Sequence, residues 1–177
     1  MKNREIEVKL NYKSRADVIK KIISLGGKKG EKFVLEDTYF GAQGSTMSNR
    51  NNLVRVRTKT SGEKFFSEIT FKGNCRDKKG IWERSEITAG VSDGKVAKQI
   101  FQKIGLAKIS ENKSEREAYI LGKCEIMFID FFLPDRISVL EAEGPSEKEV
   151  KEIILKLGNL VSKTGEDAFR KFDESRK

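Results

Sequence analysis

The chain has 177 residues with a formal net charge of +9, and it contains no histidine. That absence excludes His-based zinc sites, Ser-His and Cys-His nucleophile pairs and a histidine general base. The excess of 36 Lys and Arg over 27 Asp and Glu calls for an anionic partner, but the basic residues form no long block of the kind that binds nucleic acid. Cys75 and Cys124 lack CxxC spacing and read as reduced thiols, and no apolar run suits a membrane span or a signal-peptide core. These features predict one cytoplasmic domain over residues 1–177, with no nucleic-acid or membrane partner.

In chain order, residues 4–12 read as a strand whose alternation puts Glu5, Glu7 and Lys9 on one face and Ile6, Val8 and Leu10 on the other. A helix follows at 14–26, with Ser14 as N-cap, Val18, Ile19, Ile22, Ile23 and Leu25 as its apolar face, and Gly26-Gly27 as its stop. The Lys-rich stretch 28–32 reads as a solvated turn. Strands are predicted at 33–41, 52–60 and 64–73, the last two joined through Ser61-Gly62. After a polar loop at 73–80 come a strand at 81–89, a helix at 93–104 between Asp93 and Gly105, and strands near 112–121, 124–132 and 137–143. Helices at 146–158 and 165–175 complete the pattern.

This order restarts midway, with Glu7 falling on Glu86, Val8 on Ile87, Ile22 on Phe101, Gly26 on Gly105 and Phe40 on Tyr119. Two βαβββ halves predict an α+β fold in which eight antiparallel strands close into a barrel, flanked by helices. Several strands share one design, charged on one face: Arg55 and Arg57, Lys72, Arg84 and Glu86, Glu141 and Glu143. Closure would turn the apolar faces outward under the helices and the charged faces into the lumen. Unpaired buried charge costs several kcal/mol per ion. Such a lumen therefore needs its acids (Glu5, Glu7, Glu86, Asp130, Glu141, Glu143) balanced by its bases (Lys9, Arg55, Arg57, Lys72, Arg84, Arg116).

Glu5-x-Glu7-x-Lys9 resembles the ExExK signature of the CYTH, or triphosphate tunnel metalloenzyme, superfamily. The likeness runs on in order through Asp37-Thr38-Tyr39-Phe40, Arg55-x-Arg57, Thr70-x-Lys72, Arg84-x-Glu86, Arg116, Asp130 and Glu141-x-Glu143. The resemblance implies an eight-stranded antiparallel tunnel and a metal-dependent attack on a triphosphate. It implies that Glu5, Glu7, Glu86, Asp130, Glu141 and Glu143 hold Mg2+ or Mn2+, and that Lys9, Arg55, Arg57, Lys72, Arg84 and Arg116 bind the phosphate chain. The substrate class is then a triphosphate-bearing small molecule such as tripolyphosphate, ATP or thiamine triphosphate, handled by a monomer or homodimer. In hydrolysis a metal-activated water attacks the terminal phosphorus, whereas in a class IV adenylate cyclase the ribose 3′-hydroxyl attacks the α-phosphorus. Hydrolysis is the expectation, because no ribose clamp is legible and the His-Phe pair common in those cyclases is missing. A non-catalytic polyphosphate-binding module is the remaining alternative.

Two positions depart from the family pattern. Lys113 stands one place early for the usual Lys-x-Arg before Arg116, and a one-residue slip moves a side chain to the other face unless a bulge intervenes. Near the C-terminus, Lys163 or Arg170 would have to supply a basic residue. Gly90–Lys95 is one residue short of a phosphate loop. Trp82, Phe128 and Phe132 read as core aromatics rather than a stacking platform.

Overall fold

The computed structural model describes residues 4–46, 52–78 and 80–164; the side chains of Arg4, Glu5, Asp77 and Lys78 fall outside that description. In order, the elements are β1 (Arg4–Tyr12), α1 (Arg15–Ser24), β2 (Lys28–Gly41), β3 (Leu53–Ser61), β4 (Lys64–Lys72), β5 (Arg76–Lys78), β6 (Ile81–Val91) and α2 (Gly94–Lys103). They continue with β7 (Ala107–Leu121), β8 (Cys124–Leu133), β9 (Ile137–Glu143), α3 (Glu147–Leu157) and β10 (Val161–Lys163). The pairing β1-β9-β8-β7-β2-β3-β4-β6 returns to β1, so eight antiparallel strands form a closed ring. β10 and β5 are short additions beside β1 and β6.

The predicted duplication appears in the connectivity. Exchanging β1 with β6, β2 with β7, β3 with β8 and β4 with β9 maps the ring onto itself, with every neighbour pair falling on a neighbour pair. The helices of the two halves also begin and end alike. Ser14 accepts a hydrogen bond from the Asp17 amide, and Asp93 accepts from those of Lys95 and Val96. Gly26 at φ +85° and Gly105 at φ +93° then take the left-handed turn after each helix, which a Cβ would oppose.

The main core lies outside the ring. α1 and α3 bury Val18, Ile22, Val150, Ile153 and Leu157 against outward residues of the strands, among them Val8, Leu10, Tyr119, Phe128 and Leu140. On the other half α2 places Ala97 and Phe101 over Phe40 and Val56, with the Phe40 and Phe101 rings 5.7 Å apart. The interior is not charged throughout. Ala118, Met127, Ile129 and Val139 pack with Phe33, Phe131 and Ile137 on inward positions, so part of the wall is apolar. β8 is therefore apolar on both faces over Ile126–Ile129, as strands buried on both sides are.

Two expectations need correction. Lys28–Lys32 is not a turn but the exposed start of β2, which pairs with β7 through a register shift between Lys29 and Lys32. β5 and β10 were not anticipated, being only three residues each. The helix predicted at 165–175 lies outside the described residues. Among the described residues, no helix is long and apolar enough to cross a membrane.

Replacing Phe128, which is fully buried between Tyr12 and Tyr119, with Ala should lower stability in urea by about 3–5 kcal/mol. Ile23→Ala, at a half-exposed position of α1, should change it by no more than about 0.5 kcal/mol. Equal effects would show that the outer core does not carry the fold.

Candidate active site

Directly paired residues of neighbouring strands share a face, so the register defines the lining. Lys9 stands opposite Glu141 and Glu7 opposite Glu143. Glu143 is also opposite Glu125, and Glu141 opposite Met127. Across the ring, Asp37 faces Arg57, Tyr39 faces Arg55, Arg55 faces Thr70, and Lys72 faces Glu86. β6 closes the circuit by placing Trp82 against Glu7 and Arg84 against the backbone of Glu5. Glu7, Lys9, Arg55, Arg57, Lys72, Arg84, Glu86, Arg116, Glu141 and Glu143 thus meet on one interior wall. The Glu5 side chain lies outside the described residues.

Burial makes these charges depend on one another. Glu7, Asp37, Arg55, Lys72, Arg116 and Glu141 are each at most 9% exposed, so bulk water cannot solvate them. Lys9 Nζ lies 2.9 Å from Glu7 and 2.7 Å from Glu141, and 5.0 Å from the centre of the Trp82 ring. Lys72 pairs with Glu86. Arg55 donates to Glu68 at 3.3 Å and Thr70 at 3.1 Å. Arg116 reaches Glu141 at 3.8 Å and donates to Ser114 at 3.4 Å. Arg57 grips Asp37 through Nε and Nη2, both at 2.7 Å.

Compensation is uneven around the ring. Burial raises the proton affinity of Glu7, but Lys9, Lys72 and Arg84 outweigh it and hold its carboxyl at about 2. Glu143 has no such partner. Burial, reinforced by Glu141, Glu7, Glu125 and Glu86, pushes it up to about 7, and burial with Glu141 also raises Glu125. β3 lies diametrically across the ring from β9. There the buried Nε of Arg55 has no hydrogen-bond partner, a donor that an anionic oxygen would satisfy.

Asp130 is not in the tunnel. Alternation along β8 turns Met127, Ile129 and Phe131 inward and Phe128 and Asp130 outward, where Asp130 bonds Arg15 of α1 at 2.6 Å and Ser138 at 2.6 Å. Glu125 has the inward parity instead, and only the register with Glu143 reveals it. Lys113 also lies outside, 2.5 Å from Glu36, because the irregularity in the β7–β8 pairing comes after it; Ser114 takes the interior place. Lys163 is exposed on β10, and Arg170 lies outside the described residues. Of the three aromatics weighed for stacking, only Trp82 faces the interior.

Carboxylate oxygens suit a hard divalent cation, and a cation would relieve the crowding at Glu143 and Glu125. Among the described residues no three acidic side chains converge on one point. An ion held by one or two carboxylates would complete its shell with oxygens of a phosphorylated ligand, the arrangement usual for Mg2+.

The profile of the CYTH domain family matches residues 3–175. A protein of Methanocaldococcus jannaschii named "Putative adenylate cyclase" is 29% identical over 115 residues, a match spanning 65% of this chain and 63% of that protein. The PH1819 protein of Pyrococcus horikoshii shares the fold with a TM-score of 0.70 at 19% identity, covering 93% of this chain and 99% of that one. A Hippeastrum protein described as a putative adenylyl cyclase with a dominant triphosphatase activity gives a TM-score of 0.69 at 12% identity, covering 96% of each chain.

The raised Glu143 makes a pH prediction with a definite sign. Between its ordinary value of 4.5 and about 7, the folded chain keeps a proton that the unfolded chain has released. Stability must fall as pH rises through that window. With no histidine to titrate there, the melting temperature of chelator-treated protein should drop from pH 5 to pH 7.5, and Glu143→Gln should flatten the profile. A wild-type profile already flat over that range would contradict the crowding.

Proposed function

The chain belongs to the CYTH domain family, and on that premise we propose that it hydrolyses a triphosphate inside the ring with the help of a divalent cation. The observation that carries this reading is an unsatisfied buried donor on one side of the lumen and crowded carboxylates on the other. A buried Arg55 donor without an acceptor stands on β3, and carboxylates without a counter-cation stand on β8 and β9. A phosphate chain with its cation answers both at once.

Arg55, Arg57, Lys72, Arg84, Arg116 and Lys9 would grip the phosphate oxygens and stabilise charge on the departing phosphate. Glu5, Glu7, Glu86, Glu141 and Glu143 would hold Mg2+ or Mn2+, with Glu125 beside Glu143 in the role expected of Asp130. When bound, the cation lowers the charge on the phosphoryl oxygens and the pKa of the attacking group. Lys9 is bonded to Glu7 and Glu141 together and so keeps these two acids close while the tunnel is empty. The apolar wall of Met127, Ile129 and Val139 excludes water from one side of the chemistry. The proposed substrates are tripolyphosphate, ATP and thiamine triphosphate, the proposed setting is the cytoplasm, and the working unit is a monomer or homodimer.

The curated relative's name supports a second reading, cyclisation of ATP to cyclic AMP and pyrophosphate. Hydrolysis is preferred because it requires only an attacking water at the end of the chain, whereas cyclisation requires the ribose to be held in line. Turnover of ATP with Mn2+ separates the two: ADP and orthophosphate are expected, and cyclic AMP with pyrophosphate as main products would establish the cyclase instead.

Glu7→Gln should abolish turnover while the protein still folds, and Lys72→Ala should raise the barrier by about 2–4 kcal/mol, measured as kcat/KM on tripolyphosphate. Unimpaired turnover by wild-type protein in excess chelator would refute the metal requirement.

A further inference from the structure

A guanidinium has two pairs of donors that can fork onto an oxyanion, one along its side through Nε and Nη2, the other at its end through Nη1 and Nη2. Arg57 uses the side fork on Asp37, with both bonds at 2.7 Å. Its Nη1 has no hydrogen-bond partner among the described residues. Arg55, two residues earlier and on the same face, is held the opposite way: Nη2 is bonded to Glu68 and Thr70, and Nε is free. The two arginines therefore present different edges to the lumen.

Asp37 is 1% exposed and stands directly opposite Arg57 in the β2–β3 register, so the pairing of the two strands holds it beside that guanidinium. Burial opposes its charge, but Arg57, then Arg55 and Arg116, hold the carboxyl well below its ordinary range. Arg116 and Arg57 in turn repel each other in the buried interior. An anion fixed among three guanidiniums keeps them gathered before any substrate arrives, and a bidentate contact also fixes the plane of the one it grips.

We propose that Asp37 is a positioning residue that clamps the side fork of Arg57 and thereby aims its end fork at the phosphate chain. The proposal rests on the triphosphate reading above. Asp37 makes no contact with substrate; it acts through Arg57.

The test is a double-mutant cycle read as tripolyphosphate affinity by calorimetry, in Mg2+, on wild type, Asp37→Asn, Arg57→Lys and the double variant. Asp37→Asn should weaken binding about tenfold, and in the Arg57→Lys background it should have almost no further effect. Multiplicative losses, or tighter binding by Asp37→Asn, would overturn the proposal, the latter by showing that Asp37 competes with phosphate for Arg57. Wild-type affinity in Asp37→Asn while Arg57→Lys is weakened sinks the positioning role alone; wild-type affinity in Arg57→Lys sinks the triphosphate reading with it. Should Asp37→Asn fail to fold, side-chain NMR on wild type decides. The Arg57 Nε–H signal, assigned by its loss in Arg57→Lys, should stay slowly exchanging when tripolyphosphate saturates the protein. Fast exchange on saturation would mean that Asp37 lets go, which the proposal forbids.

Discussion

A charge enclosed by eight paired strands cannot be solvated by bulk water, and every feature of this interior follows from how each charge is answered. Lys9 is answered twice, by Glu7 and Glu141, and Arg57 by both oxygens of Asp37. These contacts offset the repulsion among the buried cations and hold Glu7 and Asp37 ionised. Where the answers stop, at Arg55 Nε on β3 and at Glu143 and Glu125 on β9 and β8, the interior remains in deficit. A donor without an acceptor stands on one side and carboxylates without a counter-cation on the other, which favours a ligand carrying both an anionic chain and a cation.

The fold can support this because its hydrophobic burial is placed elsewhere. α1 and α3 cover one half of the ring and α2 the other, and the outward apolar residues of β1, β3, β7 and β9 face those helices. The lumen is free to be polar since the outer core supplies most of the apolar area removed from water. The approximate two-fold pattern of neighbours explains why two acids that fall at matching places of the two halves, Glu7 and Glu86, line the same interior. Each sits on the strand that opens its half, and those two strands pair with each other.

Alternation made much of this legible in the residue order. Glu7, Lys9, Arg55, Arg57, Lys72, Arg84, Glu86, Arg116, Glu141 and Glu143 all have the inward parity that their strands imply, and closure followed from strand number and the repeated halves. Parity alone could not place Asp130, because β8 is apolar on both faces and offers no charged side from which to count. Glu125 was hidden for the same reason, lying at the start of an almost continuous apolar run. Lys113 shows the remaining limit: whether a bulge restores its parity depends on the partner strand, and here Ser114 took the interior position. The Asp37–Arg57 clamp needed the β2–β3 register, a contact between residues that the sequence keeps well apart.

The central claim is that the interior, not the outer surface, binds the cation and the phosphate chain together. Anomalous diffraction from crystals soaked with Mn2+ and tripolyphosphate tests it most directly. The account predicts manganese in the lumen, each ion held by one or two of the carboxylates of Glu7, Glu143 and Glu125, with phosphate density reaching the guanidiniums of Arg55, Arg57 and Arg116. Manganese found only on outer-face acids such as Asp130 and Glu117, with the lumen empty of phosphate, would contradict it.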